Sequence, residues 1–171
     1  MLHHSLRLSQ SDSNLQFGVY ALDLIVKGSI VWELEENEPI LSWTSICKLP
    51  KNEKENFLKY GFQCGENQFS NPSDISRHFN HSCNPNCAWN SHFQLVAIKD
   101  ILVSHQATYD YSSNDFDIPF QFECICQEPN CRLLVSNLDY HLKGVQFFYA
   151  DEPPAYIIKR HVRIHKVLLD P

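Results

Sequence analysis

Apolar positions along this chain rarely keep one period for long. From Phe17 to Leu41 they come in short bursts rich in Val, Ile and Trp, broken by polar residues and by a Lys27-Gly28 turn signal, which predicts short strands. KNEKENFLKYG, 51–61, follows Pro50, consists mostly of helix formers and stops at a glycine, so a surface helix is expected. SDISRHF, 73–79, offers Ser73 or Asp74 as a cap for a turn or two of helix before an Asn- and Pro-rich cluster interrupts it. FQLVAI at 93–98 predicts a buried strand and ATYDY at 107–111 a second, shorter one. After Arg132 the pattern turns helical, in LLVSNLDYHL and, beyond Pro153-Pro154, in AYIIKRHVRIHKVLL. No internal repeat or low-complexity tract is present. Irregularly spaced short strands followed by helices give an α+β fold with a strand-rich core.

One stretch departs from both periods. FNHSCNPNC, 79–87, packs Asn, Cys, His and Pro behind an aromatic residue with no apolar face to bury. Such a segment lacks regular backbone pairing and must satisfy its own polar groups.

The remaining chemistry changes this picture in three respects. At 171 residues, 43% apolar and 20% charged, the chain is long and apolar enough to bury a core as one domain, so disorder is not expected. A net charge of −6 opposes non-specific binding to nucleic acid or an anionic membrane and fits a basic peptide partner; KRHVRIHK, 159–166, reads as a solvated helix face. MLHHSLRLSQSDSN lacks the apolar stretch of a signal peptide and no later segment reaches the ~20 apolar residues of a membrane span, so an intracellular protein, cytoplasmic or nuclear, is expected. In that reducing setting seven cysteines, three of them in CICQEPNC, point to a metal before disulfides.

Cys124, Cys126 and Cys131 form C-x-C-x4-C, one thiolate short of the tetrahedral shell of structural zinc. Cys83, Cys87, Cys47, Cys64 and several His are open as the fourth ligand, and a chance group of reduced thiols is the competing reading.

RHFNHSCNPNC resembles the central signature of SET-domain protein lysine methyltransferases, in which Arg precedes Asn-His-Ser-Cys and a Pro-Asn pair. ATYDY resembles the segment that follows it in that family, FECICQEPNCR its post-SET zinc motif, and FGVYALDLIVKGSIVWE its opening strands. The four segments occur in the family's order over residues 17–132. The resemblance implies a SET domain over 1–118, short β-sheets around a knot-like core, then a zinc-bound post-SET segment over 119–132 and a C-terminal helical extension over 133–171. It implies methyl transfer from S-adenosylmethionine to the side-chain nitrogen of a lysine in a protein or peptide. Cofactor contacts would fall to Phe17, Gly18, Arg77, Asn80, His81, Tyr111 and Phe122, and the structural zinc to Cys83, Cys124, Cys126 and Cys131. Tyr111 matches the family's catalytic tyrosine, which orients a neutral amine, while a satisfied core tyrosine is the plain alternative. Tyr109 matches a position where the family carries Phe or Tyr; its hydroxyl there implies mono- or dimethylation rather than trimethylation. Tyr60 is placed along the lysine channel, with a core aromatic as the alternative reading.

The chain also departs from the family's pattern. Gln16 stands for the first of two glycines, His78 for an aromatic residue, Ser104-His105-Gln106 for Gly-Glu-Glu and Leu133 for a glycine. Three functions follow in order: a lysine methyltransferase, a SET fold kept only for binding, and a SET-fold enzyme acting on a small molecule or a non-histone peptide. Oligomeric state is not legible.

Overall fold

The computed structural model describes residues 1–10, 16–142, 144–145 and 153–159. Small sheets and few helices make up the α+β architecture. Strand β1 (Leu6–Gln10) pairs antiparallel with β2 (Phe17–Ala21), and β3 (Ile30–Glu33) enters a second sheet. Two helices follow, α1 (Trp43–Cys47), capped by Ser42 accepting from the Ser45 amide, and α2 (Lys51–Tyr60), which ends at Gly61 as expected. Next come the hairpin of β4 (Phe62–Gly65) and β5 (Gln68–Ser70), then the two-residue β6 (Asn80–His81). Asn67 turns the hairpin at φ 54°, a backbone conformation that Asn tolerates.

β7 (Cys87–Trp89) and β8 (Gln94–Ala97) complete a sheet of order β3-β8-β7. Its alternating side chains reach the main core, where Val19, Val31, Leu95 and Ile101 are wholly buried. Three rings anchor this core. Trp32 meets Phe62 edge-on at 5.2 Å between centroids, Phe62 stacks on Trp89 at 5.6 Å, and Trp89 meets Trp32 edge-on at 5.9 Å. Rings so arranged combine large area burial with favourable quadrupole geometry.

The element that builds the site is β9 (Thr108–Tyr109), which runs parallel to β6 with Asn80 opposite Thr108 and His81 opposite Tyr109. It is the one parallel ladder among the described strands. The pairing lays the polar segment 79–87 beside 107–111. Asp110, fully buried at the end of β9, caps the 3-10 turn Tyr111–Ser113 by accepting from the Ser112 amide. Arg132 grips the same carboxylate with two parallel bonds of 2.8 Å. Its guanidinium also reaches Ser112 Oγ, and its Nε lies 3.2 Å from Asp139 Oδ2.

The C-terminal part differs from its helical pattern. Residues 134–136 form β11 (Leu134–Ser136), paired antiparallel with β10 (Gln121–Glu123) to close the loop that carries three cysteines. Strand pairing across that loop overrides local helix propensity. This hairpin crosses the boundary drawn at 132/133. Only Asn137–His141, under a Ser136/Asp139 capping box, and 155–159 are helical; the rest of the expected terminal helix, with most of KRHVRIHK, lies outside the described residues. Strands β1, β4 and β5 and helix α1 carry no clear signal in the hydrophobic pattern. No helix among the described residues is long and apolar enough to cross a membrane.

Replacing Arg132 by Met is expected to cost about 3–5 kcal/mol, because it strands a buried carboxylate. In urea unfolding the Asp110→Asn/Arg132→Met double variant should lose less than the sum of the two single variants.

Candidate functional site

Two cavities meet at Tyr111. The first encloses about 190 Å³ and is walled largely by rings, among them Trp32, Trp89, Tyr109, Phe120 and Phe122. The second, about 510 Å³, is more polar and includes Gln16, Tyr20, Asn80, His81 and Gln106. Tyr111, Phe122 and Lys59 border both. The Tyr111 hydroxyl donates to the Phe79 carbonyl at 2.7 Å, and its ring lies 4.9 Å from that of Tyr109. Burial, then the neighbouring Asp115 charge, push its phenol well above the usual range, so it stays protonated.

Backbone and side-chain amides crowd the mouth of the second cavity. Asn80 Nδ2 donates to the Phe17 carbonyl at 2.8 Å, which ties β6 to β2. A Cβ on Gly18 would stand 1.8 Å from Gln106 Nε2 and 3.1 Å from Asn80 Nδ2, so a side chain there would have to displace the Gln106 amide. Gln106, the last residue of the segment that departs from the family's Gly-Glu-Glu, thus packs directly on Gly18. Phe17 is half exposed, its ring 5.9 Å from that of His78. Arg77 is placed differently from the other expected cofactor contacts. It borders the first cavity, its guanidinium lying 4.4 Å from the centre of the Tyr60 ring and donating to Asn56 and Asn71. Tyr60 borders that cavity too.

His81 links the cavities to the cysteines. Burial holds its imidazole down to about 4, against which the nearby Asp110 charge works only in part, so the ring is neutral near pH 7. Nδ1 accepts from the Tyr111 amide at 3.2 Å, which leaves the proton on Nε2, 3.3 Å from Cys83 Sγ.

Cys83, Cys124, Cys126 and Cys131 bring their sulfurs within 4.8 Å of one another, with Cys83 and Cys124 3.9 Å apart. A tetrahedron of Zn–S bonds near 2.3 Å sets its sulfurs roughly 3.8 Å apart, so the donor set fits zinc. Backbone amides of Arg132 and Leu133 point at Cys83 and Cys131 Sγ, each at 3.4 Å, as suits thiolates. Of the other candidates for the fourth position, Cys87 is buried in β7, Cys64 lies in β4 and Cys47 is exposed at the end of α1. Four cysteines leave no open coordination position, so a metal held here is structural.

Two residues of the first cavity, Asp115 and Trp89, and Gln63, which bonds to Asp115, carry no motif. Asp115, 4% exposed, accepts at Oδ1 from the Gln63 amide (2.8 Å) and Asn114 Nδ2 (3.0 Å), and at Oδ2 from the Tyr109 hydroxyl (3.2 Å). Burial raises its carboxyl to about 7. Trp89, 2% exposed, has an indole N–H with no partner among the described residues. Gln63 is the buried amide that holds Asp115 in place and bridges to Asp117. The available signal was SSND, 112–115, a polar run set between aromatics much as FNHSCNPNC is; all four of its residues are buried.

Residues 16–112 match the SET domain family. Over 75 residues, 40% of this chain and 3% of the relative, the sequence is 36% identical to the variant-silencing SET domain-containing protein of Plasmodium falciparum. Over 125 residues, 67% of this chain and 5% of the relative, it is 28% identical to the histone-lysine N-methyltransferase trr of Drosophila melanogaster. The chain thus spans a small part of the curated relatives it matches. Among solved structures, the methyltransferase domain of human SETMAR superposes with a TM-score of 0.57 at 21% identity, over 77% of this chain and 58% of that one.

Purified from zinc-containing medium, the protein is expected to hold one zinc per chain by elemental analysis. Chelation, or Cys126→Ser, should lower Tm and expose the β10–β11 hairpin to proteolysis. A separate test concerns Asp115, whose folded value near 7 against 3.8 when unfolded means the native state binds an extra proton between those values. Its contribution to stability is full below about pH 4 and is lost as pH rises through 7. Asp115→Asn should therefore shift the stability difference between about pH 4.5 and pH 8 by about 3 kcal/mol in favour of the higher pH, relative to wild type, in urea titrations.

Proposed function

The chain belongs to the SET-domain family, and from that premise we propose that it transfers methyl groups from S-adenosylmethionine to the side-chain amine of a lysine in a protein. The observation that carries this reading is that a polar cavity and a ring-walled cavity share Tyr111 in their walls. S-adenosylmethionine supplies the methyl group, and its volume suits a cavity of the second one's size. Gly18, Asn80, His81 and Gln106 would hold it there, with Phe17 and Phe122 at the edges. The first cavity suits an extended alkyl amine, its rings excluding water. Tyr111, kept protonated, has its own proton engaged by the Phe79 carbonyl and offers oxygen lone pairs to orient the amine.

Tyr109 supports a low degree of methylation. Its hydroxyl donates to Asp115 and occupies space that a methylated amine would need. Cys83, Cys124, Cys126 and Cys131 would hold a post-SET zinc that braces the edge of both cavities. The substrate is a basic protein segment, matched to the acidic chain, met inside the cell.

The crowding of Gly18 by Gln106 favours the second reading, a SET fold that binds without transferring methyl groups. Calorimetric titration with S-adenosylmethionine and its demethylated product decides between them. One-to-one binding is expected, and no binding at millimolar cofactor would leave the binding module. In an active preparation Tyr111→Phe should lower turnover roughly 100-fold. Tyr109→Phe should shift the product, read by mass spectrometry, from mono- and dimethyl towards trimethyl lysine.

A further inference from the structure

Of the two aspartates buried at the site, one is neutralised by a cation among the described residues and the other is not. Asp110 has Arg132. Among the described residues Asp115 has the neutral donors already given, and it borders the ring-walled cavity. Among the described residues the titratable groups around it are neutral or acidic: the hydroxyls of Tyr109 and Tyr111, the Cys64 thiol, and Asp117 across the Gln63 side chain, with the Tyr156 hydroxyl held on the neighbouring Asn114. Burial holds the Cys64 thiol up at about 12 and the Tyr109 phenol well above its usual value, so neither takes over the titration near neutrality. The cations of the cavity, Lys59 and Arg77, belong to the α2 and 75–78 side, where Arg77 is engaged by Tyr60, Asn56 and Asn71; His78 packs on Tyr60 as well.

A buried carboxylate without a cation is costly, and one inside a cage of rings is the arrangement that receives a cation from outside. Trp32, Trp89, Tyr111 and Phe122 line the same space. The Tyr109 hydroxyl, with its proton given to Asp115, turns its lone pairs to whatever else enters. We propose that Asp115 is the counter-ion that receives the substrate amine as its ammonium and the base that takes its proton. This rests on the transferase reading of the site and names the part of it that handles the proton. The ammonium gives one N–H proton to the Asp115 carboxylate, yielding a neutral amine and a carboxylic acid. The amine's freed lone pair would then form the bond to the methyl group as the methyl–sulfonium bond of the donor breaks, its electron pair staying on sulfur as a neutral thioether and the positive charge passing to the methylated nitrogen; Asp115 returns its proton to solvent after the product leaves.

The first test uses n-butylammonium chloride without cofactor, read by tryptophan fluorescence, since Trp32 and Trp89 of the three tryptophans border the cavity. Affinity should rise as pH increases from about 5.5 to 8.5, with its midpoint near 7. Asp115→Asn should bind roughly tenfold more weakly and without that dependence. Neutral 1-pentanol should bind both forms alike. Equal n-butylammonium affinity in both forms, or a wild-type affinity flat across that range, overturns the assignment; the wild-type titration decides even where the variant loses 1-pentanol binding through collapse of the cavity. Retained n-butylammonium binding with no S-adenosylmethionine binding would support Asp115 as the counter-ion while the transferase reading falls. With poly-L-lysine as acceptor, kcat/KM should rise through the same midpoint in wild type. Asp115→Asn should lose that limb and roughly 100-fold of the rate near pH 7. An unchanged pH profile in the variant overturns the role as base.

Discussion

The grip of Arg132 on Asp110 is the constraint on which the site depends. Asp110 sits at the end of β9, one residue before Tyr111, with no exposure to solvent. Arg132 comes from the far side of the cysteine loop. A bidentate guanidinium bond fixes both distance and orientation, so these two segments can be joined in one way only. Burial alone would lower the guanidinium's pKa, but the bonds and charge of Asp110 raise it, and Arg132 stays charged. Once it is formed, the cysteine loop lies against the 79–87 segment, Asn130 donates to the Cys83 carbonyl, and the four sulfurs converge.

The parallel ladder between β6 and β9 works with that ion pair. It is only two residues long and would not hold by itself. The Tyr111 amide extends it by donating to His81, and Asn86 adds bonds to the Gln106 carbonyl and the Thr108 amide. Side chains thus supply the pairing that a longer strand would get from its backbone. This is why the segment carries Asn and His where a regular strand would carry Val or Ile, and it answers the oddity of FNHSCNPNC. The polar groups are spent on the chain itself, while the Asn80 and His81 side chains still border a cavity.

What could be read from the sequence follows from how local each signal is. The helix ending at Gly61, the strand around Leu95 and the cap at Asp74 depend on neighbours in the chain and stand where the pattern puts them. The pattern over β11 is helical, whereas its strand state depends on β10, across a loop whose cysteines carry no periodicity. Likewise, spacing alone left Cys83 as one of several fourth ligands; the fold brings it within reach by laying β6 against β9. Arg77 illustrates the opposite limit. It lies in the expected segment, yet the ring of Tyr60 and the amides of Asn56 and Asn71, none of them adjacent in sequence, draw it to the other cavity.

Asp110 and Asp115 show why burial alone does not assign a role to a charge. Both are acidic and buried within six residues of one another, and both cap or brace local backbone. Asp110 meets a guanidinium fixed by the fold, so its charge is compensated at all times and serves architecture. Asp115 meets amides and a phenol, whose hydrogen bonds favour the carboxylate without neutralising it, and burial outweighs them and raises its proton affinity. A purely structural position would be better filled by Asn, which keeps the shape and removes the penalty. The difference lies in what each carboxylate faces: Asp110 turns to a strand of its own chain, and Asp115 turns to open space lined with aromatic rings. That contrast leaves Asp115, without a cation among the described residues, at the wall of a cavity.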